Sequence, residues 1–547
     1  MKNPAKTTGL RYWMLRVLDE CDHVQANFSA DPVHDLRVAL RRCRSLADGM
    51  MAMDPDPDWK AMKKAGKALF QRLGALRDVQ IMTEWIEKLH PAPANVEQVH
   101  VARALLPPAD HEDASERTAE PNHQAESASE HSEARDPAAH ALLAILTHRE
   151  TQEKHEARAA LEEFDRKQWR QWSKSLPLRA AKIRPGSAVF KHLALERWTA
   201  ARDLHTRAMR VRSQVAFHTL RIGIKRLRYI VENFLPVEHK AWSNDLKHMQ
   251  DLLGEVHDLD VLWATALSSH VFPEDASRKA WHARIVEERS KRIEEYRQKM
   301  CGRDSLWNVW RAGLPRDKQI RDLATRRLKL WAKVLDPDFA HSERVARLAL
   351  ELYDGLMGAG LLAVFDANGN GSDARASLYA AALLHDVGKA HGNKGHHKES
   401  QHLIQRHGPP LGWNEADMRR AALVARFHCG ALPTRSHKAL RDLLPAEQKI
   451  TIQLAAVLRL ANALDAEHDG HIRRVEIENV NRAKRRVNGF LRKPASLGKN
   501  EALIIAAEGY TPARPTAQRI AAERFLLETV LRRPVVVKGM KSAAVAT

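Results

Sequence analysis

Histidines and aspartates at the ends of three apolar segments in the second half of the chain are of the types and spacing that bind a divalent metal. His341 opens HSERVARLALELYDGL, the pair His385–Asp386 ends YAAALLHD, and Asp465 ends LAAVLRLANALD. Neighbouring helix residues point about 100° apart, so His385 and Asp386 can reach one ion only near a helix end, and Gly388 predicts such an end. Mixed imidazole and carboxylate ligands favour Mn²⁺, Fe²⁺ or Mg²⁺, with Zn²⁺ as a further candidate.

More imidazoles follow in the segments GHHKESQHLI, which contains His396 and His397, and ARFHCGALP, which contains His428. With Asp386 as a bridge, His397 and His428 predict a second ion. Two ions about 3.5–4 Å apart would activate a hydroxide and clamp a phosphoryl group. Lys389 lies three residues after Asp386 and would neutralise charge on that group, so these two are the predicted catalytic residues. Taken singly, each histidine is better explained as a core or surface residue, and only the ordered set indicates one or two metal ions.

The first half of the chain contains an internal repeat. HDLRVALRRCRSL at 34–46 matches HTLRIGIKRLRYI at 218–230, and LGALRDVQIM at 73–82 matches LGEVHDLDVL at 253–262. The two matches occur in the same order and at nearly equal separation. They therefore predict a duplicated helical unit.

Each copy of the repeat carries a stripe of basic residues at helical spacing, with apolar residues on the opposite side. Like charges at such spacing repel, so an anionic ligand would supply the missing negative charge. The alternative is a solvated basic face, which a single copy would favour and two matching copies do not. The predicted anion-binding residues are His34, Arg37, Arg41, Arg42 and Arg44 in the first copy, His218, Arg221, Lys225, Arg226 and Arg228 in the second, and the flanking Lys63, Lys67 and Lys247.

Helices must position both sets of residues. Apolar residues recur at spacings of three and four almost throughout, and short β-rich segments occur only in the last 75 residues or so. There, RRVEIENV, RRVNGFLR, EALIIAAEG and RPVVVKG predict strands, with a helix across 514–531. The sequence predicts a mostly α protein with a helical domain at 1–310, a helical metal-binding domain at 311–471 and a small α+β subdomain at 472–547.

The charge distribution points to a polyanionic partner. The formal net charge of the 547 residues is +20, although residues 110–136 hold nine acids and two arginines. This acidic stretch has almost no large apolar side chain, so we expect a disordered insertion at about 107–138. It would be a solvated linker, or a shield that competes with a ligand for the basic surface.

Several classes of protein are not expected. No segment approaches the roughly 20 apolar residues that span a bilayer, and the first 20 residues lack the apolar core of a signal peptide. The four cysteines form neither a CxxC pair nor a disulfide framework. We therefore expect a cytoplasmic protein without a membrane partner, and the sequence does not indicate an oligomeric state.

The paired H-x-x-R-x-x-x-[RK]-R-x-R segments and the LGxxxD motifs resemble the CHAD domain, the conserved histidine α-helical domain, over roughly 5–310. The resemblance implies a duplicated antiparallel helical bundle whose basic central pore binds inorganic polyphosphate and is lined by the two stripes. Guanidinium groups suit such a polymer, because they bind phosphate oxygens bidentately. The acidic insertion departs from the compact form of that family.

Nucleic acid is the competing ligand for so basic a chain. Aromatic residues make up only 6% of the sequence, and none is interleaved with the arginines of either stripe, so base stacking is not expected. No recognised nucleic-acid-binding motif is present either. Nucleic acid is therefore the less favoured partner. The resemblance to the CHAD domain also implies that the protein could be located on polyphosphate granules in the cytoplasm.

The order H…HD…D is the signature of the HD superfamily. From His341 onwards, HSERVARLAL…LLHDVGKA…GHHKESQHLI…LAAVLRLANALD and the strand-rich end resemble the C-terminal region of the exopolyphosphatase/guanosine pentaphosphate phosphatase family. In that family catalysis is attributed to N-terminal actin-like domains, which this sequence lacks. A phosphatase activity would therefore have to come from the HD metals.

Two functions follow as hypotheses. In the first, the CHAD-like part binds polyphosphate and the HD-type part is a metal-dependent phosphohydrolase that acts on polyphosphate or on a phosphorylated nucleotide. In the second, the protein is a non-catalytic polyphosphate-binding or granule-associated protein, and its HD part is a structural or sensing module.

Overall fold

The computed structural model describes residues 9–26, 28–90, 136–362, 373–478 and 502–540. Most of the predicted acidic insertion and the predicted strand RRVNGFLR lie outside the described residues. The last three residues of the predicted insertion belong to a helix start, where Asp136 accepts a 2.9 Å hydrogen bond from the backbone N–H of Ala138 and Pro137 is the first helical residue. An Asp–Pro pair is a helix-start signal, and a helix begins at Pro137, at the end of the predicted insertion.

Helices make up most of the described chain, and the predicted mostly α fold class is confirmed. Among the described helices, none is both long enough and apolar enough to cross a membrane. In chain order they are α1 (Leu10–Ala26), α2 (Ala30–Met50), α3 (Pro57–Leu89), α4 (Pro137–Glu162), α5 (Arg166–Ala180), α6 (Ala188–Val211), α7 (Gln214–Phe234), α8 (Pro236–Ser268), α9 (Asp275–Met300), α10 (Leu306–Ala312), α11 (Lys318–Leu335), α12 (Phe339–Gly358), α13 (Ala374–Leu384), α14 (His396–His407), α15 (Glu415–Arg426), α16 (Pro445–Leu464) and α17 (Pro515–Leu531).

The chain divides into two compact units. Unit 1 comprises Met1–Asp48, Asp58–Ser187 and Arg197–Gly313. Unit 2 comprises Gly49–Pro57, Ala188–Glu196 and Leu314–Thr547. The main division thus follows Gly313, and the two units are described separately below.

In unit 1 the two repeat helices, α2 and α7, bury the apolar faces that their sequences predict. Leu36 and Leu40 on α2, and Leu220 and Ile224 on α7, are each 0% exposed. The side chain of Ser213 caps α7 by accepting a hydrogen bond from a backbone N–H of the first turn. Each buried aliphatic side chain contributes about 1.5–3 kcal/mol, so this face holds both helices in place and leaves the basic stripes on the other side.

Each repeat helix is followed by a long helix of 33 residues, α3 or α8. Both long helices begin at a proline, Pro57 or Pro236, a residue favoured in the first turn because its missing N–H would have no helical partner there. The LGxxxD motifs at 73–78 and 253–258 lie within these long helices. The duplicated sequence order is therefore observed as two matching helix pairs.

In unit 2 the helices and the small sheet share one hydrophobic core. The eleven-residue helix α13 is central to it, with Leu378 and Leu384 both 0% exposed. A helix this short and this apolar is stabilised by tertiary packing rather than by its own hydrogen bonds. Its burial carries the residue that follows it, His385, into the interior of the unit.

The sheet consists of β1 (Arg474–Glu478), β2 (Leu503–Glu508) and β3 (Val535–Gly539), in the order β1-β2-β3. β1 and β2 are antiparallel, whereas β2 and β3 are parallel and are connected through α17. Helix α12 approaches β1 closely, because a Cβ on Gly355 would lie 2.5 Å from Cγ1 of Ile477. The strands at the end of the chain therefore complete the core of the preceding helices.

Candidate metal centre and anion-binding surface

The predicted His–Asp pair of unit 2 lies at the end of α13. His385 and Asp386 are 0% and 2% exposed, and a short 3₁₀ helix (Val387–His391) follows them. Ser400 on α14 donates a 2.6 Å hydrogen bond to the carbonyl of His385 and accepts one of 2.9 Å from the N–H of Gly388. A Cβ on Gly388 would lie 2.2 Å from the carbonyl oxygen of His396, so only glycine permits α14 to pack this closely.

Three histidine rings of this region are oriented by backbone carbonyls. Because a carbonyl only accepts, each Nδ1 must carry the proton, and each neutral ring then presents a lone pair on Nε2. A metal-binding histidine typically donates its other N–H in this way. The pairs are His385 with Ala382, His396 with Asn393, and His428 with Ala425, at Nδ1 to O distances of 2.7, 2.8 and 2.7 Å.

These three Nε2 atoms converge on the Asp386 carboxylate. Oδ1 of Asp386 lies 3.3 Å from Nε2 of His396 and 3.6 Å from Nε2 of His428. Oδ2 lies 3.4 Å from Nε2 of His385. Neither the His385 Nε2 atom nor the Asp386 Oδ1 atom has a hydrogen-bond partner, although both are buried. Such atoms are costly to leave unpaired, so the donor set fits a divalent cation.

Charge accumulates at this carboxylate. Burial opposes the ionisation of Asp386, but His385 and the other groups around it hold its pKa well below the usual range. Burial also lowers the pKa of His385 and of His428, so both rings are neutral at pH 7. The adjacent Asp386 carboxylate, and then Cys429, raise the pKa of His396 to about 10. Nε2 of His396 lies only 3.1 Å from Nε2 of His428, so the two rings are close enough to share one ion.

His341 approaches the same centre from the first turn of α12. It is 2% exposed, and its donor atom lies within 4.8 Å of those of His385 and Asp386. Its Nδ1 atom lies 2.8 Å from Oδ2 of Asp465, and its Nε2 atom lies 2.9 Å from Oδ1 of Asn462. The structure thus brings three of the predicted ligands together, and Asp465 contacts the group through His341.

Asp465 and Lys389 have other charged partners. Nε of Arg344 lies 2.9 Å from Oδ2 of Asp465, and the N–H of Gly470 donates to Oδ1. Burial raises the pKa of Asp465, but the hydrogen bonds from His341 and Arg344 lower it by more. Nζ of Lys389 lies 2.5 Å from Oδ2 of Asp386. Asp465 is therefore placed to orient His341, and Lys389 is placed to balance Asp386.

The second predicted metal position differs from the sequence expectation in one residue. The structure brings His396, not the predicted His397, against Asp386 and His428, because His397 packs its ring against Gly430. Cys429 joins this group, with Sγ 3.8 Å from Nε2 of His396. Sequence reasoning missed Cys429, since it considered cysteines only as pairs. The available signal was the adjacency of Cys429 to a candidate ligand.

In unit 1 the basic stripes of α2 and α7 lie side by side. Arg42 forms an ion pair with Glu232 on α7, and Asn233 donates a 2.8 Å hydrogen bond to Oγ of Ser45. The guanidinium of Arg41 lies 5.9 Å from the ring centroid of Tyr229. The two copies of the repeat therefore contribute to one continuous surface.

Of the two glycines in the LGxxxD motifs, Gly74 makes room for an arginine of the stripe, whereas the space at Gly254 would accept a Cβ. A Cβ on Gly74 would lie 2.9 Å from Nη1 of Arg37, and a Cβ on Gly254 would lie 3.9 Å from Nε of Arg221. These guanidinium groups are inserted so deeply that Nη1 of Arg37, Nε of Arg221 and Nε of Arg44 are buried and have no hydrogen-bond partner. An unpaired buried donor costs about 1–3 kcal/mol. An anion that bound here would recover that cost.

The pKa shifts around the two basic stripes also indicate an excess of positive charge there. Burial, and then Arg221, lower the pKa of Lys225 to about 7. Burial is the main reason that the pKa of Arg37 falls to about 10 and that of His257 to about 4. Burial raises the pKa of Asp258, the opposing carboxyl, to about 6. Residues of both copies repel one another here, so a polyanion would be strongly attracted.

The other predicted anion-binding residues differ in their exposure and in their contacts. His34, Lys67, Arg226 and Lys247 are exposed. His218 contacts His257, with 3.3 Å between the two Nδ1 atoms.

Three predicted residues are paired with acids, since Lys63 pairs with Asp48 and both Arg42 and Arg228 pair with Glu232. Arg228 lies 4.0 Å from Glu232. The pairing of Lys63 and Arg42 depends on how the helices meet, whereas Arg228 and Glu232 are four residues apart on α7, a spacing that the sequence already contains.

Two family models match the chain. Residues 15–267 match the CHAD domain, and residues 320–506 match the Ppx/GppA phosphatase, domain III. No curated protein matches the chain. The two matches confirm both resemblances that the sequence motifs indicate.

Proposed function

Because the chain joins a CHAD domain to a Ppx/GppA phosphatase domain III, we propose that it binds inorganic polyphosphate in unit 1 and hydrolyses a phosphoanhydride in unit 2. The substrate is polyphosphate itself or a phosphorylated nucleotide. Covalent connection of a binding site to a hydrolytic site raises the local concentration of a polymeric substrate without any further contact.

The binding function is supported above all by the three buried guanidinium nitrogens without partners, which belong to Arg37, Arg44 and Arg221. Phosphate oxygens are strong acceptors for such donors, and each charge-assisted hydrogen bond contributes about 1.5–3 kcal/mol. Polyphosphate supplies many oxygens on a flexible chain and no bases. Its binding would release counterions and weaken steeply with salt.

The hydrolytic function is supported by the convergence of imidazole lone pairs on Asp386. His341, His385 and Asp386 would hold one divalent ion, and His396 and His428 would join Asp386 around a second. A bound divalent ion lowers the pKa of a water and polarises a phosphoryl oxygen.

The protein's own contribution is to keep Asp386 ionised, to orient the three Nε2 atoms and to keep those of His385 and His428 unprotonated. Lys389, 21% exposed beside Asp386, is a cation that could meet a phosphoryl oxygen.

A non-catalytic function is the second candidate, and one observation favours it. Asp465, the last residue of the H…HD…D signature, is held by Arg344 at 2.9 Å and by the N–H of Gly470 at 3.1 Å. A carboxylate with these partners is a weaker metal ligand. In this alternative, unit 2 is a structural or sensing module of a polyphosphate-binding or granule-associated protein.

Phosphate release from long-chain polyphosphate with Mn²⁺ tests the proposal. We expect release by the wild-type protein, none from Asp386→Ala, and full release from Asp442→Ala, which changes an exposed acid of the same unit. Polymer binding should be retained in Asp386→Ala. If the wild-type protein binds the polymer but releases no phosphate, nucleotide substrates are tested next, and failure there supports the non-catalytic function.

Binding itself is tested with a double variant, Arg37→Ala with Arg221→Ala, against the matched control Lys279→Ala, an exposed lysine of unit 1. We expect the double variant to lose at least a hundredfold in affinity for polyphosphate at moderate salt, and the control to lose less than threefold. RNA of equal phosphate content should bind more weakly. Equal binding of RNA and polyphosphate would contradict the assignment.

A further inference from the structure

We propose that the second metal position is a thiolate site, formed by His396, His428 and Cys429 with the Asp386 carboxylate, and that it selects Zn²⁺ or a similarly soft ion over Mg²⁺. This inference rests on the metal centre of the proposed function and adds the chemical class of its second ion. The proposal also distinguishes the two metal positions chemically, because only the second one includes a sulfur ligand.

The three side chains lie close enough to share an ion. The ligand atoms of His396, His428 and Cys429 all lie within 4.8 Å of one another. Sγ of Cys429 is 3.8 Å from Nε2 of His396, which is itself 3.1 Å from Nε2 of His428. Gly430 follows with a φ of +72°, a left-handed conformation that glycine adopts without strain and that turns the chain directly after the cysteine.

A second, independent observation points to a cation at this position. Oδ1 of Asp386 belongs to a residue that is 2% exposed, and it has no hydrogen-bond partner. The same atom lies 3.3 and 3.6 Å from the two imidazole nitrogens of the cluster. Two nitrogens, a sulfur and an oxygen are four ligands, the number that Zn²⁺ takes in tetrahedral sites.

The chemistry of the ligands decides which ion is preferred. Thiolate and imidazole are softer ligands than carboxylate and water, and they favour Zn²⁺ or Co²⁺ over Mg²⁺, which prefers six oxygens. The first position, with His341, His385 and Asp386, has no sulfur and remains suited to Mn²⁺ or Fe²⁺. The centre would therefore hold two unlike ions or fill its two positions at different affinities.

The other cysteines provide internal references. Cys21 and Cys43 are buried, Cys301 is exposed, and Cys429 is intermediate. Cys301 lies in unit 1, far along the chain from the cluster, and serves as the matched exposed thiol.

Cobalt substitution tests the sulfur ligand directly. Addition of Co²⁺ to the metal-free full-length protein should produce a thiolate-to-cobalt charge-transfer band in the near ultraviolet. We expect Cys429→Ser to lose this band and Cys301→Ser to keep it at wild-type intensity. A band that persists in Cys429→Ser, or that is absent from the wild-type protein, would overturn the proposal.

Alkylation of the wild-type protein gives a test that needs no variant. Iodoacetamide labelling of each cysteine is followed by mass spectrometry with no metal, with Zn²⁺ and with Mg²⁺. We expect Zn²⁺ to slow labelling of Cys429 at least tenfold, Mg²⁺ to have no effect, and Cys301 to label equally under all conditions. Equal labelling of Cys429 with and without Zn²⁺ would refute a thiolate site.

These outcomes are distinguishable from failure of the proposed hydrolytic function. Zinc protection and a cobalt band without phosphate release would retain the thiolate site and reject hydrolysis. Metal-dependent phosphate release without either signal would retain hydrolysis and reject the thiolate site.

Discussion

Polyphosphate binding should weaken as the pH rises above about 7, and the variant Lys225→Arg should abolish that dependence. Lys225 lies on α7 where burial, and then Arg221 and Arg41, lower its pKa to about 7, with Asp258 opposing them. A bound polyanion favours the charged lysine. Above pH 7 the free protein has largely lost this proton, so binding must take it up again.

The magnitude follows from proton linkage. Uptake of one proton changes the free energy of binding by at most about 1.4 kcal/mol per pH unit, which is tenfold in affinity. Because about half of Lys225 is already deprotonated at pH 7, the affinity should fall by at most about fiftyfold between pH 7 and 9. The carboxyl of Asp258, with a pKa of about 6, acts in the same direction at lower pH but is almost fully ionised above pH 7. The pH dependence of affinity above pH 7 therefore reports mainly on Lys225.

Isothermal titration calorimetry with long-chain polyphosphate measures both the binding affinity and the number of protons taken up on binding. Affinity is compared at pH 7, 8 and 9, and proton uptake is obtained at pH 8 from buffers of different ionisation enthalpy. Lys225→Arg keeps its charge throughout this range and should show no uptake. The matched control is Lys247→Arg, at an exposed lysine of α8, and it should keep the wild-type slope. Identical slopes for wild type and Lys225→Arg would refute the reasoning.

Three further predictions concern single residues. Gly388→Ala would place a Cβ 2.2 Å from a backbone oxygen of α14, so we expect a loss of about 3 kcal/mol or more, seen by calorimetry as a lower melting temperature of unit 2. Gly74→Ala would place a Cβ 2.9 Å from a guanidinium nitrogen and should weaken polyphosphate binding about tenfold, whereas Gly254→Ala, where the nearest atom is 3.9 Å away, should bind normally. Arg344→Met frees the Asp465 carboxylate from a competing cation, so Mn²⁺ affinity, measured by paramagnetic resonance, should rise about fivefold. An unchanged affinity would mean that Asp465 is not a ligand.

The sequence was sufficient for the features that depend on local pattern. The repeat in unit 1 is visible because the same residues stand at the same helical spacing, and burial of Leu36 and Leu220 follows from that spacing. The His385–Asp386 pair is recognisable because a short apolar helix ends there. Each of these inferences needs only the residues within one or two helices.

Other features depend on how separate elements meet, and the sequence pattern does not contain them. Which of His396 and His397 turns inwards depends on the start of α14, where Gly395 has a φ of +75°. The pairing of Arg42 with Glu232 requires α2 to lie beside α7. The sequence also did not reveal that Arg344 would hold Asp465, because the two residues are far apart along the chain.

Both sites share one physical property, which is that the chain leaves buried polar groups without partners. At the basic surface these include nitrogens of Arg37, Arg44 and Arg221, and at the metal centre they include Nε2 of His385 and Oδ1 of Asp386, whereas others, such as Nε1 of Trp59, lie elsewhere. At about 1–3 kcal/mol each, such groups lower the stability of the ligand-free protein by an amount comparable to the whole stability of a typical domain. A structure that selection had optimised for stability alone would pair or remove them. A ligand that binds only the folded state stabilises it by about 2.7 kcal/mol when its concentration is a hundred times its dissociation constant. Binding of a polyanion and of metal ions would therefore recover this cost. The unpaired groups are therefore better explained by ligand binding than by folding.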